Sequence, residues 1–321
     1  MQSLYKKNSV MGLFSSFFSS SKTEEDNRLQ QFDLLKYDGI RALQINKPKY
    51  AMKCFTEALK MQHDLETMKY LLAAYNSLNM SDEALKTLDD IVATGEEPVA
   101  SLLMRANFLY MNERYPEAIA DCEQIIELES DNNTSYFLLA KTAQKMGEFE
   151  KAIGHIDKAI GVQEDFIEGY TLRADIYLAM EKGDEALAAI EKVIELAPEN
   201  ETAYLLRGRI QELLGNHEAA LFDYQSVLEL NPFNEAAYLP AGRLLMVEEK
   251  YENALALYNE AIENIENFAE AYVARADVKQ QIGDHKGALA DEEKAKELNP
   301  DEPEMPDENP GFENLYQGNI F

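Results

Sequence analysis

Four arginines fall on a common beat: Arg105, Arg173, Arg207 and Arg275 stand 68, 34 and 68 residues apart. A guanidinium is a rigid fork of donors that matches a carboxylate or phosphate edge, so a row of them could hold an anionic ligand. Three of the four have an aspartate sixteen residues downstream: Asp121, Asp223 and Asp291. Copies of the beat that lack the arginine carry Thr87, His155 and Leu257 at the aspartate position. The two residue types travel together, which predicts carboxylate–guanidinium pairs inside the chain rather than a ligand ladder. Arg173 faces Ala189 and is expected to be the free member.

No other constellation supports catalysis. The histidines are His63, His155, His217 and His285, and the last two recur where Tyr115, Phe149 and Tyr251 stand elsewhere. That substitution pattern reads as packing. No metal-ligand spacing, glycine-rich phosphate loop or nucleophile motif is present. No catalytic residue, metal site or cofactor is expected. Cys54 and Cys122 lie too far apart in a repeat array to bridge, and are expected as free, partly buried thiols in a reducing compartment.

The elements that carry these residues follow from a 34-residue period. In Glu201 to Asn234, with Glu201 as position 1, Tyr204, Arg207, Gly208 and Gln211 share one helical face at spacings of three, four and seven. Gly215 and Asn216 break that helix. Ala220, Tyr224 and Val227 line one face of a second, which Pro232 stops. The unit is a helical hairpin, antiparallel because its connection is short. Position 20 is Ala84, Ala118, Ala152, Ala186, Ala220, Ala254 and Ala288, seven alanines in seven copies. Position 8 is mostly small, so two helix backbones can approach closely there. An earlier copy fits with one residue fewer, placing Gly39 at position 8 and Ala51, Phe55 and Ala58 at 20, 24 and 27. Eight repeats result: 32–64, 65–98, 99–132, 133–166, 167–200, 201–234, 235–268 and 269–302.

This pattern resembles the tetratricopeptide repeat (TPR) over about five-sixths of the chain. The match is aromatic at 4, small at 8, Ala at 20, aromatic or aliphatic at 24 and Pro at 32. The chain departs from it in having no Trp, Pro at position 32 in only three copies, and Glu292 at position 24 of the last. The resemblance implies an all-α, right-handed superhelical solenoid of antiparallel hairpins. It also implies a concave groove lined by positions 2, 5, 9, 12 and 13 of each first helix. Carried onto this chain, the groove residues are Leu103, Asn107, Tyr110, Phe137, Lys141, Lys145, Leu205, Arg209, Leu239, Arg243 and Met246. Apolar anchors there mix with basic residues, which could take acidic groups of an extended or helical peptide, or could pair with acids nearby such as Asp175 and Glu212. The chaperone-tail clamp of related proteins is not expected, because Lys36 is followed by Ile40, Tyr70, Ala100 and Met104 where that clamp needs polar and basic residues.

Charge narrows the partners further. With 59 acids against 30 bases the formal net charge is −29, which disfavours nucleic acid and anionic membrane surfaces. Residues 1–22 read as a flexible leader, too short and polar to span a membrane, with an export signal as the alternative. Residues 23–302 form the array. Residues 303–321 form an acidic tail with an apolar end, either loose or docked on the last repeat. The expected function is a non-catalytic, cytoplasmic protein-interaction scaffold or adaptor that binds a peptide or helix segment in the groove. The alternative is an envelope or secretion-assembly factor, exported or periplasmic. Oligomeric state is not legible.

Overall fold

The structure is a computed structural model that describes residues 24–299. The leader and the tail, with the expectations placed on them, lie outside the described residues. Those residues contain sixteen helices and no strand, and they divide into two units, one ending at Gln163 and the other beginning at Glu164.

The first unit carries α1 (Glu24–Gln44), α2 (Pro48–Met61), α3 (Leu65–Ser77), α4 (Ser81–Ala93), α5 (Pro98–Met111), α6 (Tyr115–Leu128), α7 (Asn133–Lys145) and α8 (Phe149–Val162). The second carries α9 (Ile167–Ala179), α10 (Gly183–Leu196), α11 (Glu201–Leu213), α12 (His217–Leu230), α13 (Glu235–Val247), α14 (Tyr251–Asn264), α15 (Ala269–Gln281) and α16 (His285–Leu298). Each unit is a stack of four hairpins, and within a unit each helix packs on its sequence neighbours. Asp64, Asn132 and Asn200 cap α3, α7 and α11, each accepting from the backbone N–H three residues on.

The hairpin turns share one geometry. Position 15 is left-handed in every full-length copy: Asn79, Glu113, Gly147, Glu181, Gly215, Glu249 and Gly283. In each turn the next residue's N–H reaches back to the helix, as Asn216 to the Gln211 carbonyl at 2.8 Å and Lys182 to the Tyr177 carbonyl at 2.9 Å. Glycine suits this conformation, yet three copies hold Glu in it. Packing of the two helices fixes the turn and overrides the local preference.

Packing follows the period. All seven position-20 alanines, and Ala51, have no exposed surface. Positions 8 and 24 are matched in size. Where 24 is aromatic, 8 is glycine: Gly39 lies under Phe55, Gly208 under Tyr224 and Gly242 under Tyr258, and a Cβ on Gly242 would come within 2.2 Å of the Tyr258 ring. Where 24 is Cys122, Ile156 or Ile190, position 8 is alanine. In these six repeats the close approach of the two helices sets a glycine or alanine against a larger side chain, whereas the second repeat packs Leu72 with Leu88.

Candidate functional site

The recurring arginines make the predicted pairs. Arg105 donates from Nε and Nη2 to Asp121 at 2.8 and 2.6 Å. Arg207 does the same to Asp223 at 2.9 and 2.6 Å, and Arg275 to Asp291 at 2.8 and 2.7 Å. The aspartates are buried. Their hydrogen bonds raise the pKa of each arginine against the opposing effect of desolvation. The fork also reaches backwards: Nη1 of Arg105 donates to Asp89 at 2.9 Å and Nη1 of Arg275 to Asn259 at 2.7 Å, each on the preceding hairpin. Arg173 is not free as expected. Its guanidinium lies 4.9 Å from the centre of the Tyr170 ring, as those of Arg207 and Arg275 lie over Tyr204 and Tyr272. A tyrosine three residues before an arginine on a helix places ring and cation together.

In the first unit the predicted groove residues lie on α5 and α7. Leu103, Tyr110, Phe137 and Lys141 are half-buried, while Asn107 and Lys145 are exposed. Lys141 Nζ sits 4.9 Å from the Tyr110 ring centre and 5.7 Å from that of Phe137. Neither Lys141 nor Lys145 makes an ion pair among the described residues. Lysines earlier in this unit behave differently. Lys36 Nζ donates to Asp64 at 2.9 Å and Glu66 at 2.6 Å, and Lys69 to Glu97 at 2.7 Å. Each acid stands at the start of the next hairpin, so these two lysines join neighbours.

In the second unit the predicted residues lie on α11 and α13. Leu205, Leu239 and Met246 are half-buried and pack against the core around Tyr224, Tyr238 and Tyr258. Arg243 pairs through Nη2 with Glu212 Oε1, and Tyr224 donates its hydroxyl to Glu212 Oε2 at 2.5 Å. Desolvation, together with that bond, raises the Tyr224 pKa. Arg209 is exposed. Desolvation raises the Asp175 carboxyl and the nearby Arg209 charge opposes that shift. Asp277 is pushed up to about 6 by desolvation and by Glu292.

Two family models match this architecture. One, described as anaphase-promoting complex, cyclosome, subunit 3, matches residues 77–159 and 111–193. The other, tetratricopeptide repeat, matches residues 171–235 and 239–303. The chain is a tetratricopeptide-repeat protein. Similar solved structures of this kind include Pseudomonas aeruginosa pilF, at 16% identity over 64% of this chain and 93% of the other with a TM-score of 0.50. A tetratricopeptide repeat protein from Parabacteroides merdae is 16% identical over 84% of this chain and 94% of its own, with a TM-score of 0.47. YrrB, described as a TPR protein with an unusual peptide-binding site, is 23% identical over 56% of this chain and 93% of its own, with a TM-score of 0.47. No curated protein gives a significant match.

TPR arrays are generally non-enzymatic scaffolds that bind protein partners. Among the described residues of this TPR chain, no helix is long and apolar enough to cross a membrane, and no cluster of three or more His, Cys, Asp or Glu is placed to hold a metal ion. Cys54 and Cys122 are free and buried, and burial pushes the Cys122 thiol up to about 12, which keeps it protonated and unreactive at neutral pH. Two kinds of pairing had a readable signal that the sequence reading passed over. The Tyr–Arg stacks follow from a spacing of three. The bonds of Lys36 and Lys69 follow from acids about thirty residues on.

Proposed function

We propose that this TPR chain is a non-catalytic scaffold or adaptor that takes a peptide or helix segment of a partner protein on its first helices, with positions 5, 9, 12 and 13 in contact. The partner segment carries acidic groups. The observation that carries this reading is the state of Lys141. In a chain of net charge −29, this ammonium rests on two aromatic faces rather than on a carboxylate. A cation held that way is fixed in place yet still open to an incoming anion. Arg209 offers a second exposed cation in the other unit, and the two are treated as separate contacts.

The test is affinity capture from a cell lysate with the full chain, beside Lys141→Glu/Lys145→Glu and beside Arg209→Glu, after matching helicity. Captured partners are then crosslinked and the crosslinked peptides mapped. The expected result is loss of a partner with at least one variant and crosslinks on first helices. A partner kept by both variants and crosslinked only to second helices overturns the reading.

A further inference from the structure

The first unit contains a recess of about 410 Å³ between its second and third hairpins. Met80, Met104, Phe108 and Met111 form much of its wall, and the amides of Asn107 and Asn112 stand at it. No charged side chain lines it, in a chain where 28% of residues are charged. Methionine is unbranched and polarizable, so it moulds to varied apolar shapes and is favoured where a surface must accept a foreign side chain. Met111 is 75% exposed. Together with the recess it adds open apolar surface to this part of the groove face.

The rim is prepared for a main chain. Asn107 Nδ2 donates to the Leu103 carbonyl and Asn112 Nδ2 to the Phe108 carbonyl, both at 2.8 Å. Each amide uses a donor on its own helix and presents its carbonyl oxygen as an acceptor. A peptide N–H is the natural complement.

The same helix that lines the recess carries Tyr110, whose ring supports Lys141. Lys145 follows one turn later on α7 and is exposed. The uncharged recess thus lies on α5, and the two groove-face lysines of this unit that make no ion pair among the described residues lie on α7, the first helix next to it. We infer that this corner of the first unit recognises a peptide with a large apolar residue, such as Met, Leu or Phe, within a few residues of Asp or Glu. The apolar side chain enters the methionine-walled recess and the carboxylate meets Lys141 and Lys145. Charge complementarity selects this occupant, since an apolar segment flanked by basic residues would be repelled by the lysines. This inference rests on the proposed function and adds to it the ligand's chemistry and seat.

The experiment uses a random dodecapeptide display library panned on the full chain. The most enriched peptide is then measured by fluorescence anisotropy against the wild type and four variants. Met111→Asp and Asn107→Trp alter the recess at exposed positions, so the fold is retained. Lys145→Glu alters the cationic side, and Arg209→Glu is the control in the other unit. The expected consensus pairs an apolar residue with a nearby acid. Met111→Asp and Asn107→Trp weaken binding about tenfold or more, as loss of a central anchor does. Lys145→Glu weakens it by a few-fold, and more at low salt. Arg209→Glu leaves it unchanged. A consensus without an acid, or binding indifferent to Met111→Asp and Asn107→Trp, overturns the inference. If such a peptide instead loses affinity only with Arg209→Glu, the peptide-scaffold reading survives and the recess assignment fails. Failure to enrich any peptide counts against both.

Discussion

The two units carry a cation at the same repeat position, Lys141 in one and Arg243 in the other, and hold it differently. In the first, Lys141 is held by the rings of Tyr110 and Phe137. In the second, Arg243 is bound to Glu212, which is itself held by Tyr224. A ligand carboxylate reaching Arg243 must displace an internal carboxylate and leave it half-buried without its charged partner, at a cost comparable to what it gains. At Lys141 it displaces no carboxylate. Position within a repeat therefore indicates where a side chain points, while its neighbours decide whether it is available.

The largest expected effect tests what the units share. Asp223→Ala strands a half-buried guanidinium and should cost about 3 kcal/mol, whereas Asp121→Ala leaves Arg105 its bond to Asp89 and should cost about 2 kcal/mol. Urea titration followed by circular dichroism measures this. A loss well under 1 kcal/mol in either unit would show that the pairing there is incidental. Next, Gly242→Ala should cost about 2 kcal/mol, since the added methyl collides with Tyr258. Substitutions at the left-handed turns act in the other direction. Glu113→Gly and Glu249→Gly should each stabilise by about 1 kcal/mol through relief of backbone strain. Equal gains would show that the turn geometry is common to both units.

The groove-face cations come next. Arg243→Gln should cost about 1 kcal/mol because Glu212 loses a charged partner. Lys141→Gln should cost about 0.5 kcal/mol, the worth of a cation over rings that stays partly in water. Equal losses would erase the contrast between the units. The smallest effects lie in pH dependence and have opposite signs. His155, in the first unit, has a pKa below its ordinary value through desolvation and then the Lys158 charge, with Lys151 reinforcing and Glu123 opposing. Below a pH of about 6.5 the unfolded chain takes up that proton more readily than the folded one, so this group's contribution falls on acidification. Asp277, in the second unit, has its pKa raised to about 6. Between that value and the ordinary carboxylate range the folded state holds the proton, so its contribution rises as pH falls. Thermal melts at several pH values should show His155→Gln removing part of the acid loss and Asp277→Asn stabilising near neutrality. Either effect with the reverse sign rejects its assigned cause.

Much of the fold was legible because each hairpin states its own packing. Seven alanines at one position, and a glycine or asparagine after several of the first helices, define the hairpins without reference to distant residues. The Arg–Asp pairs were legible for the same reason, since both partners lie sixteen residues apart within one copy. The Arg173 environment was misread, because a missing carboxylate at Ala189 was taken as freedom while Tyr170 three residues earlier was overlooked. Glu212 was named among the acids near the basic residues, yet its bond to Arg243 spans two hairpins and needed the structure. The recess draws its wall from two hairpins, so no single repeat displays it.

The backward reach of Arg105 to Asp89, and of Arg275 to Asn259, has a mechanical consequence. Each of these arginines clasps three successive helices, so the hairpin before it cannot peel away without loosening the one that holds it. Stretched from its ends, the chain should therefore not lengthen one hairpin at a time throughout. At these two places it should yield in steps that release a tied pair together, and cutting Arg105 back to alanine should split one such step into two.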